Sequence, residues 1–157
     1  MSFYVKLSPN ELENDGRLVT GPIWLEMDGQ AFPIDSWYDF PIVILGWWLH
    51  NMRPLITKQS IICECRFMDG PYRFVITVRK PGDWAVTFIR DDIDGVKRLF
   101  EKKVDPQALI SEVISAANLI IKVCKQNEWI SKDLNALDNE LREFKEQMRS
   151  EGFRNSV

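Results

Sequence analysis

The chain has 157 residues, 45% hydrophobic and 27% charged, which is enough apolar material for one globular domain with its own core and excludes a disordered chain. A net charge of −3 excludes the strongly basic domain of a general nucleic-acid binder. Residues 1–7 carry one lysine and no long apolar run, unlike a secretory signal, and the longest apolar run (40–49) is well short of the roughly 20 residues that span a membrane.

Charge is uneven along the chain. Residues 1–50 carry seven acids against two bases, 51–104 seven against eleven, and 105–157 nine against seven. The middle segment suits a sheet with one solvated Lys/Arg-rich face, whereas the acidic first third suits a basic partner.

In chain order, 3–7 reads as a strand and 8–16 as a polar turn region. Residues 18–27 form the next strand, with Ile23, Leu25 and Met27 on one face and Trp24 on the other. Asp28-Gly29 is a turn signal, and 30–32 a brief return strand. From Ser36 the period becomes helical. Asp35 or Ser36 can cap this helix with Asp39 in its first turn, but Pro41 suits the first helical position and moves the expected start to Asp39 or Phe40. The helix should reach about Asn51, with Pro54 as its limit. Gly46 within it suggests close packing on the sheet, with Trp47 and Trp48 on different faces.

Residues 60–68, 72–80 and 84–90 form a meander, punctuated by Asp69-Gly70-Pro71 and Pro81-Gly82-Asp83. Ile61, Cys63, Cys65 and Phe67 alternate with polar residues in the first strand; Tyr72, Phe74, Ile76 and Val78 do so in the second, and Trp84, Val86 and Phe88 in the third. That pattern predicts a sheet covered on one side. A fourth strand is expected over 96–103. Asp105-Pro106 then starts a helix whose stripe of Leu109, Val113, Ala116, Ala117, Ile120 and Cys124 should cover the sheet. Ser131 caps a last helix with Leu134, Leu137, Leu141, Phe144 and Met148 at heptad-like spacing. The expected fold is α+β, an antiparallel sheet of about four to six strands packed by a central aromatic helix and two C-terminal helices. One domain over 1–149 and a frayed tail over 150–157 complete it.

Catalytic signals are weak. His50, the only histidine, lies near a helix end where it can interact favourably with the last carbonyls. Asp91, Asp92 and Asp94 share one turn but lack the further ligands of a calcium loop, so a solvated hairpin tip is expected. Cys63 and Cys65 face the same way without a second pair at zinc spacing and read as reduced structural cysteines, with Cys124. The glycines are dispersed and form no phosphate loop. Arg66, Tyr72, Arg73 and Arg79 interleave bases with an aromatic, yet Tyr72 shares the core face, against a stacking platform. The expectation is no catalysis, no cofactor, no metal, and neither nucleic acid nor membrane as a partner.

The segment 21–49 holds four of the six tryptophans among Glu26, Asp28, Asp35 and Asp39. Exposed aromatics rimmed by carboxylates suit a hot spot for a basic partner, such as a nuclease. Trp37 and Tyr38, between Asp35 and Asp39, read as the most accessible. The partner-binding candidates are therefore Asp28, Asp35, Trp37, Tyr38 and Asp39, with Trp37→Ala expected to weaken binding while leaving stability nearly intact.

The stretch 21–33, Trp37, Asp39, Phe40 and the Trp47-Trp48 pair carry a further signal. Together with Phe67, Asp69, Gly70, Tyr72 and Phe74, and with Trp129, Ser131 and Asp133, they resemble small bacterial immunity proteins of polymorphic and contact-dependent toxin systems over most of the chain. The resemblance implies a cytoplasmic, non-catalytic protein that binds and neutralises a cognate toxin domain. Such families diverge fast at their binding faces, so it transfers no contact residue. A second expectation, from the last helix, is a structural or regulatory protein that forms a homodimer or larger homo-oligomer through the stripe Leu134 to Met148.

Overall fold

The computed structural model describes residues 2–153. Among them the elements run β1 (Phe3–Leu7), a 3-10 turn (Pro9–Glu11), β2 (Glu13–Asn14), β3 (Val19–Met27), β4 (Gln30–Phe32), β5 (Tyr38–Asp39) and α1 (Pro41–Ile56). They continue with β6 (Ile62–Arg66), β7 (Tyr72–Lys80), β8 (Asp83–Asp92), β9 (Gly95–Val104), α2 (Pro106–Gln126) and α3 (Lys132–Ser150). The protein is α+β, with its strands divided between antiparallel sheets of five and four strands.

β3 is the axis of the first sheet. β1 and β4 flank its C-terminal half on opposite edges, since Leu25 faces both Val5 and Phe32, and β2 and β5 pair with its N-terminal half. Ile23, Leu25 and Met27 are buried as their alternation requires, but so is Trp24 on the other face, because both faces of this strand are covered. Gly21 has a steric reason. A Cβ there would stand 2.6 Å from Leu12 Cδ2 and 3.2 Å from Leu12 Cα, so glycine lets the Glu11–Leu12 segment lie close against β3 without displacing the Leu12 side chain.

The second sheet is the meander β6-β7-β8-β9 in sequence order. Its inner face joins the first sheet through Phe32, whose ring meets Phe88 at 4.9 Å, Tyr72 at 5.7 Å and Phe67 at 5.8 Å, all edge-on. Phe88 stacks on its cross-strand neighbour Phe100 at 4.4 Å. The outer face is less wet than its sequence suggests: Ala85, Thr87 and Ile89 of β8 are also buried. They lie on a central strand, flanked by long side chains in ion pairs, Arg79 with Glu101 at 3.1 Å and Arg73 with Asp91 at 2.8 Å. Ile61, expected on the apolar face, precedes the strand and is 67% exposed.

α1 is the central helix, in contact with α2, α3, β3 and β6. Pro41 takes its first position and Phe40 its N-cap without a side-chain cap, so neither Asp35 nor Ser36 serves, and Asp39 precedes the helix. It also runs past the expected Asn51 to Ile56, enclosing Pro54. The residue before it, Arg53, stays helical because its carbonyl is still used by the Thr57 N–H at 3.0 Å and the Thr57 hydroxyl at 3.1 Å. Trp48 is fully buried against Phe67 and Phe74 and donates its indole N–H to the Arg66 carbonyl at 2.7 Å, whereas Trp47 is 42% exposed. Gly46 does not mark close packing: a Cβ there would meet nothing within 4 Å.

α2 starts as expected, with the Asp105 carboxylate accepting from the Ala108 N–H and Pro106 at the first position. By length and hydropathy α2 could cross a membrane, yet nine of its residues are buried in the core. α3 is capped by Ser131, which accepts from the Leu134 N–H at 3.0 Å. Leu134, Leu137, Leu141, Phe144 and Met148 are all buried within the same chain, so the stripe expected to serve self-association is core. Within the expected tail, Ser150 ends the helix and Phe153 packs against the core. The remainder of the expected frayed tail, 154–157, lies outside the described residues.

Candidate functional site

The five sequence candidates separate into three places. Asp28 occupies the β3–β4 turn at φ 50°, where its carboxylate accepts from the Ser2 N–H at 3.1 Å. The turn lies six residues along β3 from Pro22, the partner of Tyr38, a span of about 20 Å at strand rise. Asp28 is therefore not part of the surface around Tyr38.

Trp37 and Asp39 turn inward. Asp39 is only 1% exposed, and its carboxylate accepts four bonds: from the Trp37 indole N–H at 2.9 Å and from the backbone N–H groups of Phe40 at 2.7 Å, Met68 at 3.3 Å and Asp69 at 3.1 Å. It ties the entrance of α1 to the β6–β7 turn. A carboxylate there gives three partly buried backbone N–H groups and an indole N–H one common acceptor. Trp37 is partly buried, edge-on to Tyr72 at 5.2 Å and close over Gly70, where an added Cβ would fall 3.1 Å from its ring. Neither is the surface group expected from the sequence. The alternation of β5 explains this, since adjacent residues of a strand point to opposite faces.

Tyr38 takes the other face. It is 45% exposed and crosses to the 3-10 turn, its hydroxyl donating to the Glu11 carbonyl at 3.2 Å. Partial desolvation, then the neighbouring Glu13 and Glu11 carboxylates, raise its hydroxyl pKa above the ordinary phenol value. Tyr38 is thus an exposed aromatic with two carboxylates beside it. Next along the chain, Asp15 caps its own turn, accepting from the Arg17 and Leu18 N–H groups, which lowers its pKa. Asp35 is exposed on the loop before β5 and accepts from the Ser36 hydroxyl at 2.7 Å, with Ile34 exposed beside it.

Glu11 and Glu13 were invisible to pattern reading because they lie in the polar 8–16 region. Two-residue β2 has no periodicity to detect. Gly21 was the one available signal, an unexplained small residue inside a strand of large ones, and it marks where this acidic segment docks.

The other chemical candidates are engaged in ion pairs or buried. His50 Nδ1 lies 3.2 Å from Glu140, which also pairs with Arg53 at 3.2 Å, a link between α1 and α3. Asp91 is held by Arg73, Asp92 by Arg90 at 2.8 Å, and Asp94 by Lys97 at 3.6 Å. Cys63 and Cys65 bring their Sγ atoms to 3.6 Å in the core; burial first, then Cys63, pushes the Cys65 thiol well above its ordinary value, away from the reactive thiolate. Among the described residues no group of three or more His, Cys, Asp or Glu side chains is arranged to hold a metal ion. Comparison of the chain with protein-family models, with curated proteins and with solved structures returns no match.

Proposed function

We infer that this protein is an immunity-type inhibitor that binds a basic toxin domain, without catalysis, through the face centred on Tyr38. The observation that carries this reading is Tyr38 itself, an exposed aromatic bonded to the Glu11 carbonyl, with the Glu11 and Glu13 carboxylates near enough to act on its hydroxyl. An aromatic supplies contact area and a polar tip, while neighbouring carboxylates steer a cationic surface into register. The N-terminal fifty residues carry a net charge of −5, so the field around the patch has the same sign. A nuclease is one toxin class that fits, since a surface that grips phosphates must be basic. Asp35 and Ile34 are exposed on the loop leading into Tyr38, whereas Asp28, Trp37 and Asp39 no longer belong to the face.

Self-association through α3 loses its support, because that stripe is buried within one chain. The test is protection. The protein is co-expressed with the toxin domain encoded beside its gene, and growth and direct binding are measured. Growth rescue with a one-to-one complex supports the reading; a neighbouring product that is neither toxic nor bound contradicts it.

A further inference from the structure

A cavity of about 600 Å³ lies where the end of α1, the β7–β8 hairpin and the chain beyond α3 meet. Small-molecule sites commonly measure about 300–1,000 Å³. Its walls are apolar: Leu55 and Ile56 from α1, Val78 and Trp84 from the hairpin, and Phe153, with Ile61 at its edge. No residue of the Tyr38 face contributes to it.

The charges around this apolar space are mainly of one sign. Lys58, Arg79 and Lys80 border it, against the single acid Glu151. Arg79 is engaged with Glu101, whereas the exposed side chains of Lys58 and Lys80 have no ion-pair or hydrogen-bond partner among the described residues. Lys58 also stands at φ 61°, just past the C-cap of α1, where glycine is the low-strain residue. The end of a helix favours a cation, which accounts for part of that choice. Lys80 comes from a strand and has no such reason. Two cationic side chains beside an apolar wall complement a molecule with a hydrocarbon body and one anionic head.

We propose that this cavity binds a free medium-chain acyl carboxylate, its chain against the accessible side chains of Ile61, Val78 and Phe153 and its carboxylate beside Lys58 and Lys80. Apolar burial supplies the affinity, and the two ammonium groups select the charge of the head.

Calorimetric titration of the full chain with monomeric decanoate, with decyltrimethylammonium and with butyrate tests this directly. Decanoate should bind one-to-one, the cation about tenfold more weakly or worse, and butyrate not measurably. The double substitution Lys58→Gln, Lys80→Gln should weaken decanoate about tenfold at an unchanged melting temperature. Ile61→Glu, at an exposed position, should weaken it as well, and serves alone if the double variant proves unstable. Equal binding of the cationic and anionic chains would overturn the proposal. So would decanoate affinity that survives these substitutions, association with phosphatidylglycerol vesicles but not with monomeric decanoate, or no binding of decanoate at all.

Discussion

The indole N–H of Trp37 donates to Oδ2 of Asp39 at 2.9 Å, across the one residue, Tyr38, that faces outward between them. The same carboxylate collects three backbone N–H groups from Phe40, Met68 and Asp69. Two residues that looked like a recognition surface therefore form the joint between α1 and the second sheet, and they fix the strand that presents Tyr38.

That joint predicts a large stability effect at Asp39. Asp39→Ala removes the shared acceptor of four partly buried N–H donors and is expected to cost about 3 kcal/mol. Denaturant unfolding of the variant measures it, and a loss under half of that would show that water replaces the carboxylate.

Trp37→Ala should now lower stability rather than binding alone. Removing a ring packed against Tyr72 and Gly70 is expected to cost about 2–3 kcal/mol, at the lower end for a large aromatic because the ring is only partly buried. Tyr38→Ala, by contrast, should change the melting temperature little. Thermal unfolding of the pair checks both, and the opposite order would contradict the placement of these two side chains.

The buried stripe of α3 gives a third expectation. Leu137→Glu with Leu141→Glu introduces two unpaired charges into the core and should unfold the protein. Sedimentation alongside circular dichroism distinguishes this from the alternative. A folded protein that merely falls in mass would restore the stripe to a role in self-association.

Much of this fold was legible because its strongest patterns are local. Alternation located the meander strand by strand, and Asp105-Pro106 and Ser131 marked the starts of α2 and α3. The end of α1 was missed because Pro54 reads as a stop, while the tertiary contacts of Leu55 and Ile56 carry the helix through it. The candidate site was only half legible. The exposure of Tyr38 is legible, but its acidic neighbours reach it through chain packing over Gly21, and a two-residue strand leaves no periodic trace. The inward turn of Trp37 and Asp39 is not legible, because a strand of only two residues, Tyr38 and Asp39, is too short to show its parity in the sequence.

The outer sheet face should show its electrostatics in acid. The Arg73 guanidinium, bonded to both Asp91 oxygens at 2.8 and 3.1 Å, holds that carboxyl below its ordinary value of 3.8. A carboxyl with a lowered folded pKa contributes stability that is complete above its unfolded value and lost as pH falls through the folded one. Asp91→Asn should therefore destabilise at neutral pH by about 1 kcal/mol or less, the pair being partly exposed. The gap to the parent protein should close as pH falls below about 4. Melting curves across that range decide it, and a gap that persists in acid would assign the effect to something other than ionisation.

That Tyr38, beside the acidic segment of Glu11 and Glu13, forms the contact with a basic toxin domain is tested most directly by one affinity comparison. Calorimetry of the adjacent-gene toxin domain is carried out with the parent protein and with Tyr38→Ala. The variant should bind more weakly by about 2 kcal/mol, roughly thirtyfold in Kd, at a nearly unchanged melting temperature. An unchanged Kd would contradict the account.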